Sequence, residues 1–389
     1  MKDLGEGEFI YPLKAKRVAR DNNIVDVCII GGGPAGLAAA IAVSQRGFSV
    51  LVADGSEPPI DKPCGEGLMP GTQAALRDLG IRLPLGVGYR FQGIQLAQSG
   101  ARVAAEFPQG TAVGIRRPVL HQLLVQRAEK CGVKLRWKTP VTGINVKGVQ
   151  LGGEFVAARW IIGADGGGSR VRRWADLDAV MGRSLRMATR RHYRVRPWSE
   201  YMEIHWGTRS QAYVTPISRE EVCIVVMAET GEDADFGRTL RDLPELEERL
   251  AGAELGSKER GAVSAMHSLR RVARGNVALV GDASGGVDAI TGEGLRLAFR
   301  QSLALAEAME VGELQKYEQA HRRLVWRPMW IGKLMLQLGR SGAMRERALR
   351  TMSGKPELFA RMLAIHVGHA TTRDALLTGA QLSWNFLAA

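Results

Sequence analysis

Four cysteines, Cys28, Cys64, Cys131 and Cys223, are all the sequence has, and no two form a CxxC pair. That excludes a disulfide framework and a cysteine zinc ribbon. Long hydrophobic runs are missing too. No stretch reaches the ~18–20 apolar residues of a membrane-spanning helix, and the longest candidate, 329–338, is interrupted by Lys333. Lys14, Lys16, Arg17 and Arg20 near the N-terminus precede neither an apolar core nor a cleavage site, so no secretory signal is expected. Acidic residues are in the minority, 40 against 53 Lys plus Arg, for a net charge of +13. The excess is spread along the chain without a nucleic-acid-binding motif, which speaks against nucleic acid as a partner. These shortages together point to a reduced, cytoplasmic protein.

Glycine is what the chain has in plenty, 47 residues in 389, while 45% hydrophobic content excludes disorder. The length suggests about two domains. Residues 1–23 read as a polar extension. An apolar run at Ile24–Ile30, a glycine loop, a helical stretch at 37–45 and a second apolar run at 48–53 make one strand–helix–strand unit. Residues 55–70 read as loop and 72–79 as helix. Period-2 patterns at 91–96 and 101–107 read as antiparallel strands, and 118–131 as a helix with Val119, Leu120, Leu123, Leu124 and Ala128 on one face. Strands are expected at 134–137, 155–162, within 186–228 and at 277–280. Helices are expected at 244–254, at about 294–310 and through most of 313–389.

The first chemistry-bearing motif is Gly31-Gly32-Gly33-Pro34-Ala35-Gly36, which fits GxGxxG after a strand and at the start of a helix. Gly31 permits the turn, Gly33 lets backbone approach a pyrophosphate, and Gly36 lets helix and strand pack closely. The helix N-terminus offers N–H groups to phosphate. Asp54 ends the second strand, 18 residues after Gly36, where a carboxylate can accept from ribose hydroxyls. This motif alone does not separate NAD from FAD.

Two further segments do. Residues 161–170, Ile-Ile-Gly-Ala-Asp-Gly-Gly-Gly-Ser-Arg, resemble the DG motif of flavoproteins, and 275–283, Gly-Asn-Val-Ala-Leu-Val-Gly-Asp-Ala, resemble their GD motif. On these three motifs the chain resembles the group A flavoprotein monooxygenase and geranylgeranyl reductase superfamily over about residues 24–310. The resemblance implies a mixed α/β fold. A Rossmann-like FAD-binding domain from 24–85, 110–180 and 271–312 would join an antiparallel-sheet substrate domain from 86–109 and 181–270, with C-terminal helices over 313–389. It implies one non-covalent FAD, with NAD(P)H as electron donor and no metal.

By that resemblance Gly31, Gly33, Pro34, Ala35, Gly36 and Asp54 hold the AMP end, and Gly281 and Asp282 lie near the ribityl chain or pyrophosphate. Asp165 serves near the pyrophosphate or simply caps its loop. Arg117 matches the family arginine that opens a helix and reaches the cofactor. Four residues on, the family usually carries an acid; here His121 reads as a solvated helix-face residue. Lys62-Pro63-Cys64-Gly65-Glu66-Gly67-Leu68 is similar to the cysteine loop of geranylgeranyl reductases, and Thr291-Gly292-Glu293-Gly294, followed by Leu295, resembles their TGEG sequence. Backbone N–H groups there can face the flavin edge. Cys64 is either a proton or hydrogen-bond donor beside substrate or a small residue packed on the cofactor. Glu66 is a weaker candidate for proton transfer.

The family proline is replaced by Ala289, and the reductases' YxWxFP signature is reduced to Tyr213-Val214-Thr215-Pro216. This reduced signature, with the prevalence of oxygenases in the superfamily, favours a monooxygenase acting on a hydrophobic or aromatic small molecule. The alternative, favoured by Cys64 and residues 291–294, is a reductase of prenyl or lipid C=C bonds; a non-catalytic flavin-binding protein is a third. Arg190, His192, Arg194 and Arg196 alternate along one strand face, read as a solvated sheet face. His366 and His369 lack a third metal ligand. The basic C-terminal helices either cap the substrate domain or touch an anionic membrane surface, and the protein is expected as a monomer or homodimer.

Overall fold

The computed structural model describes residues 24–229, 235–370, 377–378 and 381. The expected extension 1–23 and much of the chain after 370 lie outside the described residues. Ten helices appear among those described. They are α1 (Pro34–Ser44), α2 (Pro70–Asp78), α3 (Arg117–Lys130), α4 (Arg170–Trp174), α5 (Phe236–Arg241), α6 (Pro244–Leu250), α7 (Gly294–Glu310), α8 (Leu314–Arg340), α9 (Gly342–Gly354) and α10 (Pro356–Val367).

The first sheet has a parallel core. Strand Ile24–Ile30 lies between Val50–Ala53 and Glu154–Gly163, with Lys134–Arg136 beyond the former and Val277–Leu279 beyond the latter. Its central strands are near-continuous apolar runs because both faces are covered. Helix α1 is apolar all round, and nine of its residues are buried. Such a helix has no solvent face, and its run of alanines lets α7 and α3 approach closely. The chain leaves the central strand in one direction for Val50–Ala53 and returns on the other side for Glu154–Gly163. The strand order therefore reverses beside Ile24–Ile30, and the crevice outside the carboxyl ends there is where such sheets bind ligands. Gly31, Asp54, Asp165 and Gly281 all follow the carboxyl ends of these parallel strands.

The second sheet is built around the 15-residue strand Val180–Arg194, which pairs with both Val222–Ala228 and Arg260–Leu269. Ser210–Pro216, Tyr201–Trp206, Gly93–Gln98 and Ala101–Glu106 extend it. One face packs on α5 and α6; the other carries a second core closed by Leu349, Met352, Phe359 and Leu363 of α9 and α10. A small sheet joins Gly67–Leu68, Ala112–Gly114 and Tyr89–Phe91.

Three differences from the sequence reading have local causes. Residues 55–70 are not all loop, since Gly67–Leu68 pairs with Ala112–Gly114. The helix expected over 244–254 stops at Leu250, because Glu254–Leu255 turns to pair with Arg194 and Tyr193. The strand Arg260–Leu269 had no expectation: its exposed stretch is polar and glycine-containing, and pairing rather than propensity makes it a strand.

Candidate active site

The three glycine motifs converge on one crevice. A methyl group on Gly36 would stand 1.8 Å from the Gly31 carbonyl oxygen, and one on Gly31, at φ 110°, would stand 2.4 Å from that of Ala164. Only glycine lets α1, the central strand and the DG loop meet so closely. Gly281 packs against the Ala35 methyl in the same way. By contrast, the Cβ position of Gly33 has nothing within 4 Å, and α1 begins there without a side-chain cap. The first turn of α1 thus keeps free N–H groups facing open space, which suits a pyrophosphate.

Side chains that the sequence reading passed over brace this crevice. Arg172, buried in α4, donates to the carbonyls of Gly167 and Ala283, tying the DG loop to the GD turn Gly281–Ser284. In α7, the Gln301 side-chain oxygen accepts from Gly281 N at 2.8 Å, and Ser302 Oγ, which donates to the Ala298 carbonyl at 2.7 Å, lies 3.3 Å from that of Ala35. Polar residues on the buried stripe of a helix were the available signal. Lys62 reaches Asp282 at 3.1 Å, and both remain half exposed.

The expected acids take distinct places. Asp54 accepts from Gly32 N at 2.6 Å and Ser56 N at 2.7 Å, so it shapes the glycine loop it was expected to serve. Asp165 accepts from Ser169 Oγ and from the backbone N–H groups of Arg170 and Val171, which is the loop-capping arrangement. Asp282 is exposed and, among the described residues, carries only the Lys62 pair. Arg117 opens α3, and its Nε is buried without a hydrogen-bond partner in the protein, an orphan donor that an anionic cofactor would satisfy.

His121 corrects the solvated reading. It is fully buried, its Nε2 lies 2.8 Å from the Gly32 carbonyl, and the Trp137 ring packs beside it and over Gly32. Burial holds its pKa below the ordinary value despite the bond to Gly32. A neutral ring that donates to Gly32 replaces a carboxylate here.

Arg190 and His192 require a second correction: both are fully buried, and only Arg194 and Arg196 of that alternating set face water. Arg190 makes a two-pronged pair with Asp61 at 2.8 and 2.9 Å and reaches Glu66 at 3.3 Å. Burial pushes the Asp61 carboxyl up, but Arg190 and Arg260 outweigh it and hold the group below its ordinary value. Glu66, at φ 58°, accepts from Arg117 N at 2.9 Å and meets His192 Nε2 at 2.8 Å. With its oxygens engaged and its side chain fully buried, Glu66 ties the cysteine loop to α3 and to the strand Val180–Arg194. Its carboxylate, the His192 imidazole and the Cys223 thiol lie within 4.8 Å of one another. Arg116 and Arg190 touch His192 and Glu66 and are themselves paired with Glu221 and Asp61.

Cys64 is half-buried, and its sulfur accepts from Glu66 N at 3.4 Å. The Gly65 carbonyl is held by Thr215 Oγ1 at 2.7 Å, from the strand carrying the reduced signature. The cysteine loop and the Thr291–Gly294 turn meet at Met69. A methyl group on Gly67 or on Gly292 would lie 3.5 or 3.4 Å from its Cε. Glu293 is buried against Arg296, leaving Gly294 and Leu295 to start α7. From Met69 the second core continues through Met202, Met227, Met352 and, partly buried, Met335 and Met362. His366 Nε2 holds the Thr291 carbonyl at 2.8 Å, and His369 is exposed. A separate cavity of about 760 Å³, lined by Arg77, Arg82, Arg90 and Arg219, shares no residue with the glycine motifs.

A family model described as an FAD binding domain matches residues 24–320. The chain belongs to that family. This flavoprotein is similar to the menaquinone reductase of Mycolicibacterium smegmatis, with 29% identity over 329 residues, 77% of this chain and 80% of that protein. Digeranylgeranylglycerophospholipid reductase 1 of Methanopyrus kandleri is 30% identical over 297 residues, 70% of this chain and 77% of that one. A solved flavoprotein/dehydrogenase from Cytophaga hutchinsonii shares the fold, at TM-score 0.79 and 18% identity over 94% of this chain and 99% of its own. This flavoprotein is thus an FAD-dependent oxidoreductase of the monooxygenase and geranylgeranyl reductase superfamily. The preference for monooxygenase chemistry finds no support among these relatives, whose names are those of reductases.

Proposed function

We propose that this flavoprotein is a reductase of isolated C=C bonds in the polyprenyl chain of a lipid or quinone, with NAD(P)H as its electron source. The observation that carries the reading is the pair of reductases matched over most of their length. Menaquinone and digeranylgeranylglycerophospholipid differ in their polar ends and have a polyprenyl chain in common. The meeting of the cysteine loop and the Thr291–Gly294 turn at Met69, which belongs to the methionine-rich second core, supports it. Methionine side chains adapt to a long, bent, apolar ligand.

Bound FAD would supply the two-electron chemistry. The free N–H groups at the start of α1 and the orphan Arg117 Nε would hold its phosphates, and Asp282 would accept from its sugar hydroxyls. Gly65 and Glu66, pinned by Thr215, Arg190 and His192, fix where the Cys64 thiol stands. Cys64 would give its proton to the carbon that does not receive hydride and recover one from solvent, leaving a saturated bond.

The test is turnover of a polyprenyl quinone under strict anaerobiosis with NAD(P)H in excess. A product heavier by two hydrogens, with Cys64→Ala slow yet fully loaded with FAD, is the expected result. Product that forms only with oxygen, carrying an added oxygen atom, would overturn it in favour of the monooxygenase. No turnover of any candidate by a flavin-loaded protein would leave a flavin-binding role.

A further inference from the structure

We propose that α8 docks this protein on an anionic bilayer through an exposed tryptophan stripe. Trp326, Trp330 and Leu334 recur every fourth residue and so share one helix face. They are 71%, 56% and 39% exposed, and Met344 at the start of α9 is 41% exposed. Tryptophan is among the costliest side chains to leave in water, and contiguous exposed apolar surface marks a contact site.

Charge identifies the occupant. From residue 320 to 345 the sequence contains Arg322, Arg323, Arg327, Lys333, Arg340 and Arg345 and no acid. Arg322, Arg323, Lys333 and Arg340 are exposed and flank the stripe by helical spacing. Two of them have partners: exposed Arg322 lies 3.7 Å from the buried Glu318, and Arg340 makes a solvent-exposed, hence weak, pair with Glu229 at 3.3 Å. The acids that bound this run are Glu318, which is buried and accepts from the backbone N–H groups of Val272 and Ala273, and exposed Glu346 in α9. Apolar and aromatic side chains rimmed by cations suit a surface of anionic headgroups over acyl chains. A second copy meeting this face across a two-fold axis would set the same cations against each other, which disfavours a dimer there. No helix among the described residues is long and apolar enough to cross a membrane, so the contact is one of lying on the surface.

The other side of α8 faces the active site. A methyl group on Gly332 would lie 3.4 Å from Met266 Sδ and 3.5 Å from the Thr291 methyl, and Leu336 is buried. One helix therefore separates the stripe from the methionine-rich second core. The docking face stands on its own observations; a lipid substrate would give it a purpose.

The experiment is flotation of the FAD-loaded protein with phosphatidylcholine vesicles, with and without phosphatidylglycerol. Binding is expected with the anionic vesicles, falling with added salt. Trp326→Ala/Trp330→Ala and Arg322→Glu/Arg323→Glu/Lys333→Glu should each reduce it on the order of tenfold. These positions are exposed, so flavin content should stay unchanged, and the tryptophan variant should keep its thermal midpoint. On the unsubstituted protein, brominated lipid should quench fluorescence that Trp326→Phe/Trp330→Phe lacks. Failure to float with anionic vesicles, binding indifferent to these variants, or a concentration-dependent dimer abolished by them would overturn the proposal. If binding holds but no polyprenyl lipid is reduced, the docking face survives and the substrate reading fails.

Discussion

Glu66→Gln tests the anchoring of the cysteine loop most directly. The substitution keeps the side chain's shape and removes one charge from a fully buried position. Glutamine can still accept from Arg117 N, and Arg190 keeps its two bonds to Asp61. What goes is the attraction to Arg190 at 3.3 Å and the charge-assisted contact with His192 at 2.8 Å. One such bond contributes about 1.5–3 kcal/mol, and breaking a buried pair outright costs about 3–5. Because Arg190 stays paired, the lower end applies, a loss of roughly 2–3 kcal/mol. Glu66→Ala should lose more, since it also orphans Arg117 N and opens a cavity. Urea denaturation of the FAD-loaded protein reads the loss, and a cycle with Arg190→Met isolates the pair's coupling. If Glu66→Gln is as stable as the parent while turnover collapses, Glu66 handles protons and the positioning argument is wrong.

Gly36→Ala should abolish FAD binding, because its methyl would lie 1.8 Å from the Gly31 carbonyl oxygen; yellow protein after dialysis would contradict the crevice geometry. Asp282→Ala should weaken FAD by about 1.5–3 kcal/mol through lost sugar contacts, with smaller change in stability, whereas Asp54→Ala should lower both, because it also releases Gly32 N and Ser56 N; flavin titration and melting separate the two. Burial, helped by Arg322, lowers His321 from 6.5 to about 4, and the ring bonds Ser284 in the GD turn. The neutral ring's stabilisation is complete above the unfolded value and is lost as pH falls toward the folded one. Stability should drop by roughly 2 kcal/mol between pH 7.5 and 5, and His321→Gln should flatten that slope.

The parallel half of the fold was legible because its central strands read as apolar runs and each glycine motif sits where a strand ends. Local pattern sufficed there. The second sheet was legible as strands but not as faces. Arg190 and His192 look like solvent residues by type, and only the loop at 61–66, more than 120 residues earlier in the chain, supplies the acids that allow their burial. His121 was misread for the same reason, since its partner is a backbone carbonyl at Gly32. The stripe on α8 was half legible: its cations were visible, but Trp326 and Trp330 are core residues by type, and exposure is a tertiary fact.

One strand sets the distance between the two loops that meet over the cofactor crevice. Arg186 and Arg190 lie four residues apart on Val180–Arg194, on the same buried face. Arg186 pairs with Asp288, which also caps the turn leading to Thr291–Gly294; Arg190 pairs with Asp61 and Glu66 of the cysteine loop. A buried guanidinium without its acid is too costly to tolerate, so neither loop can drift from the strand while the protein is folded. The meeting at Met69 is then fixed by the spacing of two arginines, about 13 Å along an extended strand. If so, Arg186→Met/Asp288→Asn should leave the chain folded, because both charges leave together, yet loosen the turn. Hydrogen exchange at 289–294 should rise while exchange at 61–67 stays as it was. Equal loosening of both loops would mean that Met69, and not the strand, holds them together.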